Sequence, residues 1–249
     1  MDSGLYAVYT GMLARTQALD TAANNLANAN TNGFRAQRDY FRGVLAGLAP
    51  DSENTPVQDS VNRFGVLGGS LTDLSQGTLQ STGNPLDLAL QGQGFFQVRT
   101  SQGVELTRDG SFLRASDGAL TTQQGEPVLG TNGSTITVPS GSLHVSADGT
   151  ISVDTAEGSA IAGRIAVVNY APADLSAVGT NHFRARADAQ VQSSDAAMQQ
   201  GALEGANQDA VHGTMQLLLV QRQAEMMQRA LTVFQNGFDK TAAEDLGRV

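Results

Sequence analysis

The first thirty residues have the apolar periodicity of a long helix. A leucine or methionine recurs every seven positions at Leu5, Met12, Leu19 and Leu26, which is the spacing of one face of a coiled coil. The pattern predicts a helix over about residues 3–29. Because a single apolar stripe of this length is not stable alone in water, the helix needs a partner.

A second stripe with helical spacing lies near the other end of the sequence. It predicts a helix over about residues 206–243, in which charged residues three and four positions apart can pair on the polar side. Together the two stripes predict an assembly seam in which the terminal helices pack through large apolar side chains. The predicted seam consists of Leu5, Met12, Leu19, Leu26, Met215, Leu219, Met226 and Val233.

Between about residues 70 and 200 the helical period gives way to alternation. Short runs alternate apolar and polar residues, as in 86–90, 143–145 and 151–153. Asp-Gly and Asn-Gly pairs separate such runs at intervals of roughly ten residues, which is typical of hairpins in an all-β domain. Glycine, of which the chain has 28, is concentrated in this region, as tight turns require.

These patterns divide the chain into four parts. We expect a first coiled-coil half over 1–42 (the N-terminal helix and its Asn-rich turn), an extended connector over 43–75, a β-rich outer domain over 76–200, and the second coiled-coil half over 201–249. The predicted fold class is therefore α+β, with a discontinuous α-helical coiled-coil domain from both termini and an inserted all-β domain of short hairpins.

Composition excludes several kinds of functional site. Cysteine is absent, which excludes disulfides, zinc–thiolate sites, iron–sulfur clusters and cysteine nucleophiles. The single lysine, Lys240, lies near the C-terminus and argues against a Schiff-base or P-loop lysine. The net charge is −9 and the pI is near 4.7. Since nucleic-acid binding needs a basic face, we expect no nucleic-acid partner.

Membrane insertion is not expected either. No run of the sequence reaches the ~18 consecutive apolar residues that a bilayer span requires. The sequence MDSGLYAVYTG at the start lacks the basic region that precedes the apolar core of a secretory signal peptide. We therefore do not expect export by the general secretory route, while other export routes stay open.

The sequence contains no recognised catalytic motif. GxSxG, HExxH and P-loop patterns are absent, and 92–94 begins like a dinucleotide fingerprint but lacks its third glycine. His144, His182 and His212 have no acidic or histidine neighbours at metal-ligand spacing, and His144 is predicted on the polar face of a strand. We expect no catalytic residues, no cofactor and no metal, and we do not expect an enzyme.

Three further segments have more than one interpretation. Residues 148–154 begin like a calcium loop but lack its later ligands, so a hairpin turn is favoured. The pair Phe95-Phe96 could stack on a ligand, although a core position is favoured for strand residues. The basic segment 34–42 either contacts an acidic partner or extends the first helix into solvent.

An Asn-rich segment ends the first helix. Residues 22–35 read AANNLANANTNGFR, and asparagine is a poor helix former that favours turns. This segment closely resembles the N-terminal signature of the bacterial flagellar basal-body rod and hook axial proteins. The matching residues include Asn24, Asn25, Leu26, Ala27, Asn28, Asn32, Gly33 and Phe34.

Later segments resemble the same family and occur in the same order along the chain. Residues 82–96 and 107–112 resemble its middle motif, and 220–225 resembles a stretch of its C-terminal helix. Residues 201–207, GALEGAN, are similar to the entry to that helix, with Ala206 in place of a serine. The matching residues of this last motif are Gly201, Leu203, Glu204 and Asn207.

The resemblance implies a structural subunit of the flagellar rod. It implies helical polymerisation through the paired terminal helices, because head-to-tail contacts that do not close produce a filament. The likeness is to the members of the proximal rod, which is part of the drive shaft needed for motility, and next to those of the distal rod. It further implies copies of the chain and other rod proteins as partners, the flagellar export apparatus during secretion, and a periplasmic position reached by the flagellar type III route without a cleaved signal peptide.

Two other functions remain open from the sequence. A β-domain with a carbohydrate-binding or wall-acting site would need paired carboxylates, and the candidates Glu105 and Asp109 lie on either side of a predicted turn. A general adhesin or appendage subunit would differ from a rod protein by its presence on the cell surface.

Overall fold

The computed structural model describes residues 2–42, 66–155 and 158–246, with side chains omitted for 2–8, 41–42, 66–68, 230 and 234–246. The chain divides into two units. Unit 1 consists of Met1–Ala27, Gln37–Leu71 and Ala210–Val249, and unit 2 of Asn28–Ala36 and Thr72–Asp209. Residues 43–65 of the predicted connector 43–75 lie outside the described residues. None of the described helices is both long enough and apolar enough to cross a bilayer.

Unit 1 contains the two long helices and a two-stranded sheet. Helix α1 spans Asp2–Ala27 and helix α2 spans Ala210–Leu246, close to the bounds predicted from periodicity. Strands β1 (Gln37–Arg42) and β2 (Val66–Thr72) pair with one another. The helix extension considered for residues 34–42 is therefore wrong, since most of this segment forms β1.

The buried stripe of α1 consists of small residues. Ala14, Ala18 and Ala22 are buried at intervals of four, and Asn25 continues the same stripe with 1% of its surface exposed. On α2 several large apolar residues are instead exposed, among them Met215, Leu219, Met226 and Val233, whereas others such as Leu217 and Met227 are half-buried.

The prediction of a coiled-coil domain built from both termini is wrong. Each terminus contributes one helix, and the remainder of the described chain is mostly β, with sixteen strands. A coiled coil needs large apolar side chains that fill holes on the facing helix. In α1 alanines take the buried positions, while Met12, Leu19 and Leu26 beside them are half-buried, so the seven-residue leucine repeat does not mark the buried face.

Unit 2 is built of short antiparallel strands. A five-stranded sheet has the order β12-β5-β6-β14-β13, a three-stranded sheet has the order β11-β10-β9, and three strand pairs are β15-β4, β16-β3 and β7-β8. The strands are β3 (Leu79–Ser81), β4 (Leu88–Gln91), β5 (Phe95–Thr100), β6 (Gly103–Thr107), β7 (Leu113–Arg114), β8 (Leu120–Thr121), β9 (Ser142–Val145), β10 (Thr150–Thr155), β11 (Gly158–Arg164), β12 (Val167–Val168), β13 (Leu175–Val178), β14 (His182–Ala185), β15 (Ala197–Gln200) and β16 (Ala202–Glu204).

Strand β5 contributes to two hydrophobic clusters because neighbouring residues point to opposite faces. Phe96 is fully buried in the larger cluster and meets Phe112 edge-on, with ring centroids 5.1 Å apart. Phe95 is buried in a smaller cluster against Phe183, at 5.3 Å. The predicted core position of the phenylalanine pair is confirmed.

The hairpin predicted around Asp148 is confirmed. It joins β9 to β10, in which Ile151 lies opposite Val145, and His144 is exposed on β9 as predicted. The Asp148 carboxylate accepts hydrogen bonds from the Thr150 hydroxyl at 2.8 Å and the Thr150 backbone N–H at 3.2 Å. These bonds lower the pKa of Asp148 and place its oxygens within the turn.

Candidate functional site

Glu204 is the centre of a buried charge cluster in unit 2. Its side chain is fully buried at the end of β16. Oε1 accepts hydrogen bonds from Arg35 Nη2 at 2.5 Å and from the backbone N–H of Gly77 at 2.8 Å. Oε2 accepts one from Arg108 Nη1 at 2.9 Å. We refer to Arg35, Arg108 and Glu204 as the motif cluster, since each of them lies in a segment that resembles the family.

The backbone around β16 fixes the position of Glu204. In the pairing of β16 with β3, Glu204 lies opposite Leu79, and the N–H of Gly205 donates to the carbonyl of Thr78 at 2.9 Å. A side chain at Gly77 would place its Cβ 2.1 Å from the carbonyl oxygen of Gly205. The close approach of these two backbones therefore requires glycine at position 77, and it brings the Gly77 N–H to the carboxylate.

The motif cluster holds two guanidinium groups and one carboxylate, and so carries a net positive charge. Burial lowers the pKa of Arg108, an effect that the Arg35 charge reinforces and the Glu204 charge opposes. The Nε atoms of Arg35 and Arg108 are buried and have no hydrogen-bond acceptor among the residues that the structure describes. The Glu204 carboxylate therefore accepts only some of the hydrogen bonds that the two arginine side chains can donate.

Gly33 packs the Asn-rich segment against the backbone of Arg108 and Asp109, which directly follow β6. Its φ of +69° lies in the left-handed region, and a Cβ there would lie 2.3 Å from the backbone nitrogen of Asp109. Its N–H donates to the backbone carbonyl of Glu204 at 2.7 Å. The Asn-Gly turn therefore serves two purposes, since glycine provides both the turn conformation and the space for this contact.

Asn207 joins two further segments through its side-chain amide. Oδ1 accepts from the N–H of Ala36 at 2.8 Å. Nδ2 donates to the carbonyls of Asp73 at 2.8 Å and Ser75 at 3.2 Å. Because the N–H of Asp73 also donates to the carbonyl of Ala36 at 2.8 Å, these contacts close a network around residues 33–36.

Asn25 has an analogous role in unit 1. Its Nδ2 donates to the carbonyl of Gln37 at 2.7 Å, and its Oδ1 accepts from the Gln37 N–H at 2.9 Å. The side chain therefore satisfies both backbone groups of one β1 residue, as a neighbouring strand would. Within unit 2, Thr31 donates to Asn28 Oδ1 at 3.3 Å, and the Asn32 carbonyl accepts from Asn181 at 3.4 Å.

The structure brings only some of the predicted motif residues together. Gly33, Phe34, Glu204 and Asn207 meet around the motif cluster, where the Asn207 N–H donates to the Phe34 carbonyl at 3.4 Å. Of the other motif residues, Asn24 and Ala27 are exposed, Leu26 and Leu203 are half-buried, and Gly201 has a left-handed φ of +74°.

The predicted seam residues lie in unit 1, and their role in assembly stays a prediction. Met12, Leu19 and Leu26 are half-buried on α1, and the side chain of Leu5 lies outside the described part of the chain. On α2 the exposed fractions are 59% for Met215, 59% for Leu219, 62% for Met226 and 71% for Val233.

Sequence reasoning did not identify the two arginines of the motif cluster. Arg35 directly follows the Asn-Gly-Phe signature and Arg108 lies in the middle motif. Their positions in marked segments are the available signal, but nothing in the sequence pairs them with Glu204.

The acidic residues considered for a wall-acting site have structural partners. Glu105 Oε1 accepts from Arg184 Nη2 at 2.6 Å. Asp109 accepts from the Ser111 hydroxyl at 2.6 Å and from Asn181 at 3.1 Å. Within the described ranges there is no group of three or more His, Cys, Asp or Glu side chains arranged to hold a metal ion.

Comparison with known proteins identifies the family. Residues 5–35 match the family model "Flagella basal body rod protein", and residues 89–153 match "Flagellar hook protein FlgE/F/G D1 domain". The flagellar basal-body rod protein FlgF of Caulobacter vibrioides is 34% identical over 256 residues, covering 100% of both chains. FlgG of Bacillus subtilis is 32% identical, over 92% of this chain and 93% of its own, and FlgF of Escherichia coli is 34% identical, over 91% and 93%. With these likenesses and with its motifs joined around Glu204, the chain belongs to the flagellar basal-body rod protein family.

Proposed function

We propose that this chain is a structural subunit of the flagellar basal-body rod, which polymerises helically through its terminal helices to build the proximal part of the drive shaft. The proximal position is supported by the likeness to FlgF of Caulobacter vibrioides along both whole chains. A distal-rod subunit is the second candidate, favoured by the likeness to FlgG of Bacillus subtilis.

The exposed apolar residues of α2 carry this proposal. Met215, Leu219, Met226 and Val233 are spaced by four, seven and seven positions, so they lie on one face of the helix. More than half of each side chain's surface is exposed. A row of large apolar side chains in contact with water is typical of a surface that another protein covers.

In the rod, neighbouring subunits are the partners available to this apolar face of α2. Copies of this chain and other rod proteins would cover it, and head-to-tail contacts that do not close extend such an assembly into a filament. The rod lies in the periplasmic space, and the subunit reaches it through the flagellar type III export apparatus. The subunit acts by assembly alone, as a structural protein without a catalytic role or a cofactor.

A double substitution on α2 tests the proposal. In a strain that lacks the parent gene, the variant Leu219→Asp/Met226→Asp should be made and should fold, because both side chains are exposed. We expect electron microscopy of its basal bodies to show no complete rod, and we expect the cells not to swim. The control, Gln221→Asp/Gln228→Asp, adds the same charge at the same spacing on exposed polar positions and should swim.

Intact rods and normal swimming in the Leu219→Asp/Met226→Asp strain would overturn the role of α2. Mass spectrometry of basal bodies from the parent strain tests the subunit role itself, since the protein must be present there. Its copy number relative to the other rod proteins separates the short proximal segment from the longer distal one.

A further inference from the structure

A cavity of about 260 Å³ lies within unit 2 beside the motif cluster. Its wall includes Arg108, Phe95, Asn169, Tyr170 and Gln192. Among the described residues that line the cavity, Arg108 is the charged one, and none is an aspartate or glutamate. The cavity therefore combines one cation with neutral polar and aromatic groups.

Arg108 has more hydrogen-bond donors than acceptors around it. Of the five N–H donors of a guanidinium, Nη1 uses two, toward Glu204 and the carbonyl of Leu90, and Nη2 uses one, toward the carbonyl of Gly92. The second N–H of Nη2 and the buried Nε N–H have no acceptor within the described part of the chain, and only 3% of the residue is exposed. Leaving a buried charged donor unpaired is costly, so the site favours an additional acceptor.

The electrostatics of the cluster favour the same kind of ligand. The charges that act on Arg108 are those of Glu204 and Arg35, so one carboxylate serves two guanidinium groups. Burial is the main cause that lowers the pKa of Arg108; the Glu204 charge opposes this shift, and the Arg35 charge adds to it. A second negative charge in the cavity would restore the balance.

We propose that this cavity receives the carboxylate of an acidic side chain from a second copy of this chain. Arginine binds carboxylates with strong, directional hydrogen bonds, and the amides of Asn169 and Gln192 and the phenol of Tyr170 can donate others. Phe95 lies against the Arg108 guanidinium, with its ring centroid 5.4 Å from Cζ, and holds the plane of that group.

Charge complementarity argues for a second copy as the source of the carboxylate. The chain has 24 acidic against 15 basic residues and a net charge of −9, so a neighbouring copy presents an excess of carboxylates to a positive cavity. The choice of a second copy rests on the proposed function, because self-assembly into the rod is what brings another copy of the chain to the cavity.

A binding experiment on the full-length protein tests the cavity. The chain is labelled with 3-fluorotyrosine, and the ¹⁹F signal of Tyr170 is assigned with a Tyr170→Phe sample. We expect the peptide acetyl-Ala-Glu-Ala-amide to shift this signal in a saturable manner, and acetyl-Ala-Gln-Ala-amide not to do so. Equal shifts with both peptides, or no shift with either, would overturn carboxylate binding.

A variant at the rim of the cavity sharpens this test. Gln192→Glu places a carboxylate at an exposed position of the wall and should weaken binding of the glutamate peptide by at least about tenfold. Gln102→Glu adds the same charge in the exposed turn between β5 and β6 and should leave binding unchanged. Equal affinities of the two variants would place the carboxylate outside this cavity.

Rod assembly then identifies the source of the carboxylate. The proposal requires that Gln192→Glu reduces the amount of this protein in purified basal bodies and that Gln102→Glu does not. Normal incorporation of Gln192→Glu, despite weakened peptide binding, would overturn the second copy as the occupant and leave the proposed function intact. Absence of the unsubstituted protein from the parent's basal bodies would instead overturn the proposed function.

Discussion

The motif cluster of unit 2 and helix α2 of unit 1 distribute charge and apolar surface in opposite ways. In the cluster, three ionisable side chains from distant parts of the sequence are buried, and Glu204 has no exposed surface. On α2, residues such as Met226 and Val233 expose 62% and 71% of their surface. Both are departures from the usual rule that charges lie outside and large apolar groups inside.

The difference indicates where each region obtains its partners. Glu204 finds Arg35, Arg108 and the Gly77 N–H within the same chain, so its burial depends on folding alone. The apolar row of α2 remains exposed in the folded chain and gains by burial only when another chain covers it. Substitutions in the first region should therefore change folding stability, whereas those in the second should change assembly.

The largest effect on stability is expected from Glu204→Gln. The substitution removes the buried negative charge and leaves two buried guanidinium groups without a counterion, which should lower the free energy of unfolding by about 3–5 kcal/mol. Urea unfolding followed by circular dichroism measures this loss. Glu225→Gln, which removes a carboxylate from an exposed position on α2, should change the unfolding free energy by less than about 0.5 kcal/mol. Similar losses in both variants would show that burial of the cluster does not govern stability.

An intermediate effect is expected from Gly33→Ala, with Gly133→Ala as its control. The two glycines have similar φ values, +69° and +73°, so both substitutions introduce the same backbone strain. A Cβ at Gly33 would overlap the backbone of Arg108 and Asp109, whereas one at Gly133 would meet nothing within 4 Å.

We therefore expect a loss of about 3 kcal/mol for Gly33→Ala and about 1 kcal/mol for Gly133→Ala in the same unfolding measurement. The excess in the first variant is the cost of separating the Asn-rich segment from the backbone of Arg108 and Asp109. Equal losses would mean that strain alone matters at both positions and that the contact with residues 108–109 does not contribute.

Local sequence patterns predicted helices and hairpins of this fold but not its long-range contacts. The bounds of α1 and the hairpin at Asp148 follow from periodicity and turn residues, which depend on neighbours in sequence. The partners of Glu204 lie 169 and 96 positions away, at Arg35 and Arg108. No spacing rule connects residues so far apart, because their meeting depends on the completed sheet pairing.

The buried face of α1 shows a second limit of periodicity. A seven-residue repeat fits the row of Leu19 and Leu26 and equally fits the row of Ala18 and Asn25 beside it. Hydrophobicity favours the leucines, yet the alanine row is the buried one. Close packing of a helix favours small side chains at the contact, and this preference depends on the neighbouring element rather than on the sequence of the helix.

The smallest effect on stability is expected from Met226→Gln, and the same change at Met198 provides the contrast. Met198 is 5% exposed and packs in the larger hydrophobic cluster, so a buried amide there should lower the free energy of unfolding by about 2 kcal/mol or more. Met226 is already in contact with water, and we expect a change of less than about 0.5 kcal/mol. The effect of Met226→Gln should appear instead as a lower amount of the protein in purified basal bodies. A stability loss as large as that of Met198→Gln would mean that α2 is covered within its own chain, and the contrast between the two regions would then no longer hold.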